Sequence, residues 1–196
     1  MNEVNVKIAR IKKSCHVGKI VSNVLCIVLI VGAVLSMISA ITIFAMGKKF
    51  DEAITQAVET GYIDDSDHIG SAEFFVFNLG SVKNFDSDIP FVKAALEDHP
   101  YSIVYGSYSI ISLLCCTFLA VMLKLISSVF ALIEKEETPF TDKVKKKVTV
   151  LLIITSVSLL ITEGAGLALL GALITWVVNS ILDYGKTLQV QADETL

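Results

Sequence analysis

Charged side chains are scarce in this sequence. They make up 18% of its 196 residues, whereas about 25% is usual in a soluble domain. Hydrophobic residues reach 54% and the mean hydropathy is +0.69, so an ordinary soluble domain is excluded. The apolar residues stand in long runs on both sides of one polar interval, residues 48–100. We therefore expect a single membrane domain over residues 1–196.

Cysteine is missing from that polar interval. The four cysteines are Cys15, Cys26, Cys115 and Cys116, and the last three lie within apolar runs. A disulfide framework is therefore excluded for the interval, and with it a small receptor ectodomain held together by disulfides. We expect Cys115 and Cys116 to act as small packing residues.

The sequence also lacks the usual catalytic motifs. It has no glycine-rich phosphate loop, no pair of zinc ligands on a helix and no nucleophile elbow. The cluster DDSDH, Asp64 to His68, offers three carboxylates and an imidazole, but a calcium loop beginning at Asp65 would need glutamate where Val76 stands. A solvated acidic turn is the better interpretation. We predict no catalytic residue, no metal ligand and no cofactor, and we expect a protein that is not an enzyme.

The first two apolar runs predict membrane spans over about residues 21–46 and 101–124. The run from Val21 to Gly47 is free of charge and measures roughly 40 Å as a helix, which exceeds the ~30 Å hydrocarbon core. It is also longer than the apolar part of a signal peptide. The second span is expected to continue as a helix to about Ile133, with Lys124 reaching the interface by its long stem.

The last apolar stretch, Val148 to Leu182, is interrupted only by Glu163. One helix of this length would measure roughly 52 Å, too long for a bilayer. The glycines of TEGAG, Thr162 to Gly166, favour a tight turn, which predicts two spans over about 147–162 and 165–183. A re-entrant hairpin is the alternative. Beside this turn, Glu163 is expected to be a loop acid exposed to water, with a proton or ion site as the alternative.

The lysines predict the orientation, because cytoplasmic loops carry an excess of Lys and Arg. Five basic residues precede the first span and five lysines lie between the second and third, whereas the interval 48–100 has four lysines against eleven carboxylates. We expect the interval outside, the loop of about 134–146 in the cytoplasm and both termini cytoplasmic. Thr141 is expected to cap the next helix, whose first turn holds Asp142. Three glutamates of the loop are expected to face solvent: Glu134, Glu136 and Glu137.

The outer interval contains two helical patterns. FDEAITQAVETG, Phe50 to Gly61, has apolar residues at helical spacing and predicts an amphipathic helix closed by glycine. Asp88 and Pro90 are start signals for a second short helix. Between them the apolar patch FFVFNL, Phe74 to Leu79, is expected to lie on the outer ends of the spans, with an extracellular docking site as the alternative.

Small residues recur at helical spacing within the spans. Because lipid provides no hydrophobic drive between helices, such stripes typically form the packing seams of a bundle. A dimer seam or a polar pore is the alternative. We expect Asn179 and Asp183 to hydrogen-bond across helices or to cap the bundle. The stripe residues are Gly32, Ser36 and Ser39; Ser102, Gly106, Ser109, Cys116 and Ala120; and Gly164, Ala168, Gly171, Thr175 and Asn179.

Two stretches carry a resemblance to a known family. PFTDKVKKKV and the ending YGKTLQVQADETL resemble an uncharacterised family of bacterial four-span membrane proteins, a domain of unknown function. The match in motif covers Pro139 to Thr141 and Gly185 to Leu196, and the layout covers most of the chain. The resemblance implies a bacterial inner (plasma) membrane location and a small helix-turn-helix regulator as a possible partner. It supplies no catalytic residue.

These observations predict an all-α polytopic membrane protein, a four-helix transmembrane bundle with an acidic extracytoplasmic segment. The function we expect is that of a non-enzymatic interaction or regulatory protein embedded in the lipid bilayer, without direct nucleic acid binding. Its tail, LQVQADETL, either packs under the bundle or is bound by a partner. The alternative is a small transporter or accessory subunit, working with another membrane subunit. In that case Glu163, Asn179 or Asp183 would line a water-accessible cavity.

Overall fold

The computed structural model describes residues 3–62, 72–74, 77–79, 89–136, 138–162 and 164–194. In these residues the chain is almost entirely helical. The helices are α1 (Glu3–Met46), α2 (Lys48–Glu59), α3 (Pro90–Asp98), α4 (Pro100–Lys135), α5 (Asp142–Thr162) and α6 (Ala165–Glu194). Two short antiparallel strands, β1 (Ala72–Phe74) and β2 (Phe77–Leu79), pair with Phe74 opposite Phe77.

Three of the described helices are long and apolar enough to cross a membrane. They are Ala9–Met46 within α1, Pro100–Lys135, and Ala165–Gln191 within α6, with 38, 36 and 27 residues. At 1.5 Å per residue each exceeds the ~30 Å hydrocarbon core. Large apolar side chains such as Ile27, Leu35, Leu169 and Trp176 are exposed on them. The fold is therefore that of a predominantly α-helical, multi-pass membrane protein.

The third predicted span falls within α5, which is not among those three helices. Its 21 residues begin with one aspartate and four lysines, leaving fifteen uncharged residues from Val148 to Thr162, roughly 22 Å of helix. Helix α5 ends at Thr162, and α6 begins at Ala165, directly after Gly164, whose φ is +87°. The turn thus lies where the glycines of TEGAG predict it, and the full crossing of α5 stays a prediction.

One compact unit comprises residues 1–27 and 120–196. In it α5 and α6 form an antiparallel hairpin. The first part of α1 packs against the last part of α4, where a side chain on Gly18 would overlap the ring of Phe130. Cys26 Sγ lies 3.4 Å from the Ala120 carbonyl oxygen, and Ser127 Oγ donates to Asn23 Oδ1 at 3.0 Å. Small residues allow this close approach, and of these residues Ala120 belongs to a predicted stripe.

The other compact unit comprises residues 28–119. In it the second part of α1 and the first part of α4 meet through hydroxyl groups. Ser36 Oγ lies 3.1 Å from Ser112 Oγ, and Ser39 Oγ lies 3.3 Å from Ser109 Oγ. Further along α4, Gly106 lies against the ring of Phe44, where a methyl group would overlap the aromatic carbons. The serines satisfy one another's hydrogen bonds, so they can pack in an apolar environment.

The two predicted helices of the polar interval are confirmed as α2 and α3. Helix α2 ends at Glu59, followed by Gly61 with φ +71°, and α3 begins at Pro90, whose missing N–H costs nothing at a first helical position. The patch Phe74–Leu79 contributes to β1 and β2, which the sequence did not predict. The acidic cluster Asp64 to His68 lies outside the described residues.

Candidate interaction site at the lysine-bearing end

Asn179 and Asp183, singled out from the sequence, both lie on α6 opposite α5. The Thr149 hydroxyl of α5 is 2.6 Å from Asn179 Oδ1 and 2.8 Å from the Lys145 carbonyl oxygen, so it donates to one of the two at a time. Lys145 Nζ donates to Asp183 Oδ1 at 2.6 Å. The expectation of hydrogen bonds across helices is therefore confirmed for both residues. Glu163 lies outside the described residues.

Asp142 and Lys186 add an ion pair one helical turn further along the hairpin. Lys186 Nζ lies 2.7 Å from each carboxylate oxygen of Asp142. The hydrogen bond from Lys186, followed by its charge, lowers the pKa of the Asp142 carboxyl below its ordinary value. Asp142 opens α5, and Thr141 caps the helix as predicted, since its hydroxyl oxygen accepts from the Val144 amide at 3.4 Å. The negative charge also suits the positive end of the helix dipole.

The loop before α5 docks against the end of α6. Thr138 Oγ1 donates to Gln189 Oε1 at 2.8 Å. Phe140 lies so close to Gly185 that a methyl group on this glycine would overlap the ring. The stretches around Pro139 and around Gly185 thus contact each other. We name this region the loop–tail surface, formed by Thr138, Phe140, Asp142, Gly185, Lys186 and Gln189.

The glutamates at the end of α4 correct one expectation. Glu134 and Glu136 were expected to face solvent, but the Glu134 side chain is only 30% exposed. It lies 2.8 Å from His16 Nδ1 and accepts from Lys19 Nζ at 3.0 Å. Glu136 accepts from Lys143 Nζ at 3.2 Å. Both side chains remain partly exposed, so the expectation is correct only in part: the local charge run did not show that the partners of these acids stand on α1 and α5. Glu137 lies outside the described residues.

A groove between α4 and α5 is a feature that sequence reasoning missed. It is half open, has a volume of about 420 Å³ and is lined almost wholly by carbon. Three lysines of α5 at helical spacing, Lys143, Lys146 and Lys147, stand along one wall. The sequence places these lysines just before an uncharged run, but it does not predict an apolar cavity behind them. The other lining residues are Leu125, Ser128, Val129, Leu132 and Val150.

A second polar cluster lies in the unit of residues 28–119 and joins an aspartate, a histidine and a serine. Asp51 is 8% exposed and accepts from the Ser102 amide at 2.8 Å and from the Ser102 hydroxyl at 3.2 Å. His99 Nδ1 lies 3.2 Å from the same carboxylate oxygen as that hydroxyl. A nucleophilic serine would need its hydroxyl on the imidazole. Here both groups point to Asp51, which caps the start of α4.

Among the described residues, no group of three or more His, Cys, Asp or Glu side chains is placed to hold a metal ion. The four cysteines are free thiols. Cys116 Sγ packs beside Gly32, at a distance that would leave room for a methyl group on this glycine.

No protein-family model, no curated protein and no solved structure matches this chain.

Proposed function

We propose that this chain is a four-span protein of the bacterial inner membrane, with the lysine-bearing end and both termini in the cytoplasm. There it acts as a non-enzymatic interaction or regulatory protein that binds a soluble partner. The resemblance to the uncharacterised four-span family is part of this proposal, and it makes a small helix-turn-helix regulator the first partner to test.

The observation that carries the proposal is the docked loop–tail surface. Three different contacts hold it: the hydrogen bond from Thr138 to Gln189, the packing of Phe140 on Gly185, and the ion pair of Lys186 with Asp142. A preformed surface loses less conformational freedom when a partner binds. The charges around it supply the complementarity that steers a protein partner to one site.

Transport, the alternative function, receives no support from the described contacts. A transport pathway needs polar groups that face water or cargo within the membrane. Asn179 and Asp183 instead contact Thr149 and Lys145 of α5 at 2.6 Å each, and so they join the hairpin to itself. We therefore prefer the interaction protein.

Site-specific photo-crosslinking in intact cells tests the partner. The crosslinking amino acid replaces Leu188, 46% exposed beside the loop–tail surface, or Leu169, 67% exposed in the apolar part of α6. We expect an adduct with one soluble cytoplasmic protein at Leu188 and none with that protein at Leu169. Adding Gly185→Leu, which displaces Phe140, should reduce the adduct severalfold.

Two outcomes contradict the proposal. If Leu188 yields no protein adduct, the surface has no partner. If the adduct is an integral membrane subunit, the accessory-subunit alternative is favoured.

The topology is tested separately with a fluorescent protein fused after Leu196, since such a reporter folds in the cytoplasm and stays dark when it is exported unfolded. Fluorescence in the membrane fraction after a carbonate wash is the expected result.

A further inference from the structure

We propose that the groove between α4 and α5 is a binding site for one anionic phospholipid. The lipid phosphate would lie on Lys146 and Lys147, and one acyl chain would lie along the apolar wall of α4. This inference concerns a different surface from the loop–tail surface and does not depend on a protein partner.

The charge of the groove favours an anion. Lys143, Lys146 and Lys147 share one face of α5, and the only described carboxylate within ion-pair distance of the three is Glu136, 3.2 Å from Lys143. Their neighbour Lys145 is already occupied by Asp183 on α6. Lys146 and Lys147 are exposed, line the groove with their stems and have no carboxylate partner among the described residues.

The wall of the groove favours a lipid rather than a soluble anion. A free phosphate or a nucleotide would contact the lysines but would place no apolar group against Leu125, Val129 and Val150. An acyl chain can lie against these side chains, whereas a soluble anion has no group to place there. The position fits as well, because the lysines immediately precede the uncharged residues of α5. Helical side chains lean towards the N-terminus, which carries the ammonium groups away from the apolar part. Basic pockets between membrane helices bind anionic head groups in this way.

The experiment uses the full chain, purified in detergent, and measures binding of dioleoyl phosphatidylglycerol and dioleoyl phosphatidylcholine by native mass spectrometry. Each lysine at a membrane surface contributes roughly fivefold to anionic lipid affinity. The double variant Lys146→Gln/Lys147→Gln should therefore bind phosphatidylglycerol roughly thirtyfold more weakly, with phosphatidylcholine unchanged. The matched control Lys12→Gln/Lys13→Gln removes two charges of α1 and should change the affinity less than twofold. Val150→Trp fills the groove, keeps every charge and should weaken phosphatidylglycerol binding severalfold.

The proposal is overturned by any of three results. Equal losses in both double variants would mean a general surface charge rather than a site. Unchanged binding in the Lys146 and Lys147 variant would remove the head-group site, and unchanged binding in Val150→Trp would remove the acyl chain from the groove. Should the glutamine variant not fold, Lys146→Arg/Lys147→Arg retains the charge and is expected to keep phosphatidylglycerol binding. A loss there would also overturn the proposal.

Discussion

Replacing Gly171 by alanine tests the hairpin on which the lysine-bearing end is built. A Cβ at this position would lie 2.7 Å from Ser156 Oγ, 3.1 Å from Ser156 Cβ and 3.3 Å from Ser156 Cα. The hydroxyl is held by its own helix, since it donates to the Leu152 carbonyl oxygen at 2.8 Å. The third contact is with backbone, which does not rotate away. Helices α5 and α6 must therefore separate to admit one methyl group.

The free energy of unfolding should fall by about 1–3 kcal/mol through this overlap. Alanine also gains up to about 1 kcal/mol over glycine as a helix former, which works against the loss. Gly166→Ala is the matched control, because it lies on the same helix and a Cβ there meets nothing within 4 Å. The difference between the two variants therefore isolates the overlap. Ser156→Gly removes two of the three contacting atoms, so the double variant should recover at least about 1 kcal/mol.

The assay is reversible unfolding of the full chain in mixed micelles by increasing amounts of sodium dodecyl sulfate. The fluorescence of Trp176, the single tryptophan of the sequence, reports on α6 directly. The reasoning is refuted if Gly171→Ala is as stable as Gly166→Ala. It is also refuted if Ser156→Gly has the same effect with glycine and with alanine at position 171, because the two side chains would then not be in contact.

Three further predictions follow from single contacts. Asp51→Ala should speed hydrogen exchange of the Ser102 amide, because the lost cap lowers the free energy of local opening by about 0.5–2 kcal/mol. An unchanged exchange rate would contradict this. Asn179→Ala should lower the free energy of unfolding by about 0.6 kcal/mol in the same detergent titration, and a gain in stability would speak against the cross-helix bond. The pKa of the Asp142 carboxyl, followed by NMR, should lie below its ordinary value, and Lys186→Gln should raise it, because the hydrogen bond from Lys186 is the main cause of the lowering. The stability from this pair is present above the unfolded pKa and is lost as pH falls through the lower folded pKa; an unaltered titration in Lys186→Gln would exclude the pair.

Local patterns predicted much of the helical structure. The spacing of apolar residues and the glycine after it located α2, and Pro90 located the start of α3, because both signals act within one or two helical turns. The end of α4 at Lys135 lies close to the expected Ile133. The small-residue stripes were also informative, since Gly106, Ser109, Cys116 and Ala120 all lie against α1. Helix α1 is longer than predicted, because no uncharged run marks its basic first part, which begins at Glu3.

Contacts between distant residues could not be predicted from one sequence. Asp51 caps a helix that begins 49 residues later, and Glu134 finds His16 and Lys19 at the other end of the chain. Nothing in the local pattern distinguishes these acids from solvated ones. The ribbon of β1 and β2 was missed for a related reason, since a short apolar run such as Phe74–Leu79 does not determine helix or strand by periodicity. The groove depends on how α4 and α5 pack, which composition does not encode.

The chemistry of the α5–α6 hairpin changes in order along its length, and this order supports the proposal that α5 enters the bilayer. Starting at the lysine-bearing end, the facing pairs are Asp142 with Lys186 and Lys145 with Asp183, then Thr149 with Asn179, then Ser156 with Gly171. Ion pairs thus give way to an uncharged hydrogen bond and then to small groups in contact. The cost of burying a charge rises steeply with depth in a membrane, whereas a hydroxyl or a glycine is tolerated there. A hairpin lying in water would have no need for this order, whereas a helix that enters the bilayer from its lysine-bearing end does. Depth-dependent quenching of spin labels at positions 149 and 156 should therefore show the second label deeper by about 10 Å, the rise of seven helical residues. Equal depths would contradict the entry of α5 into the bilayer.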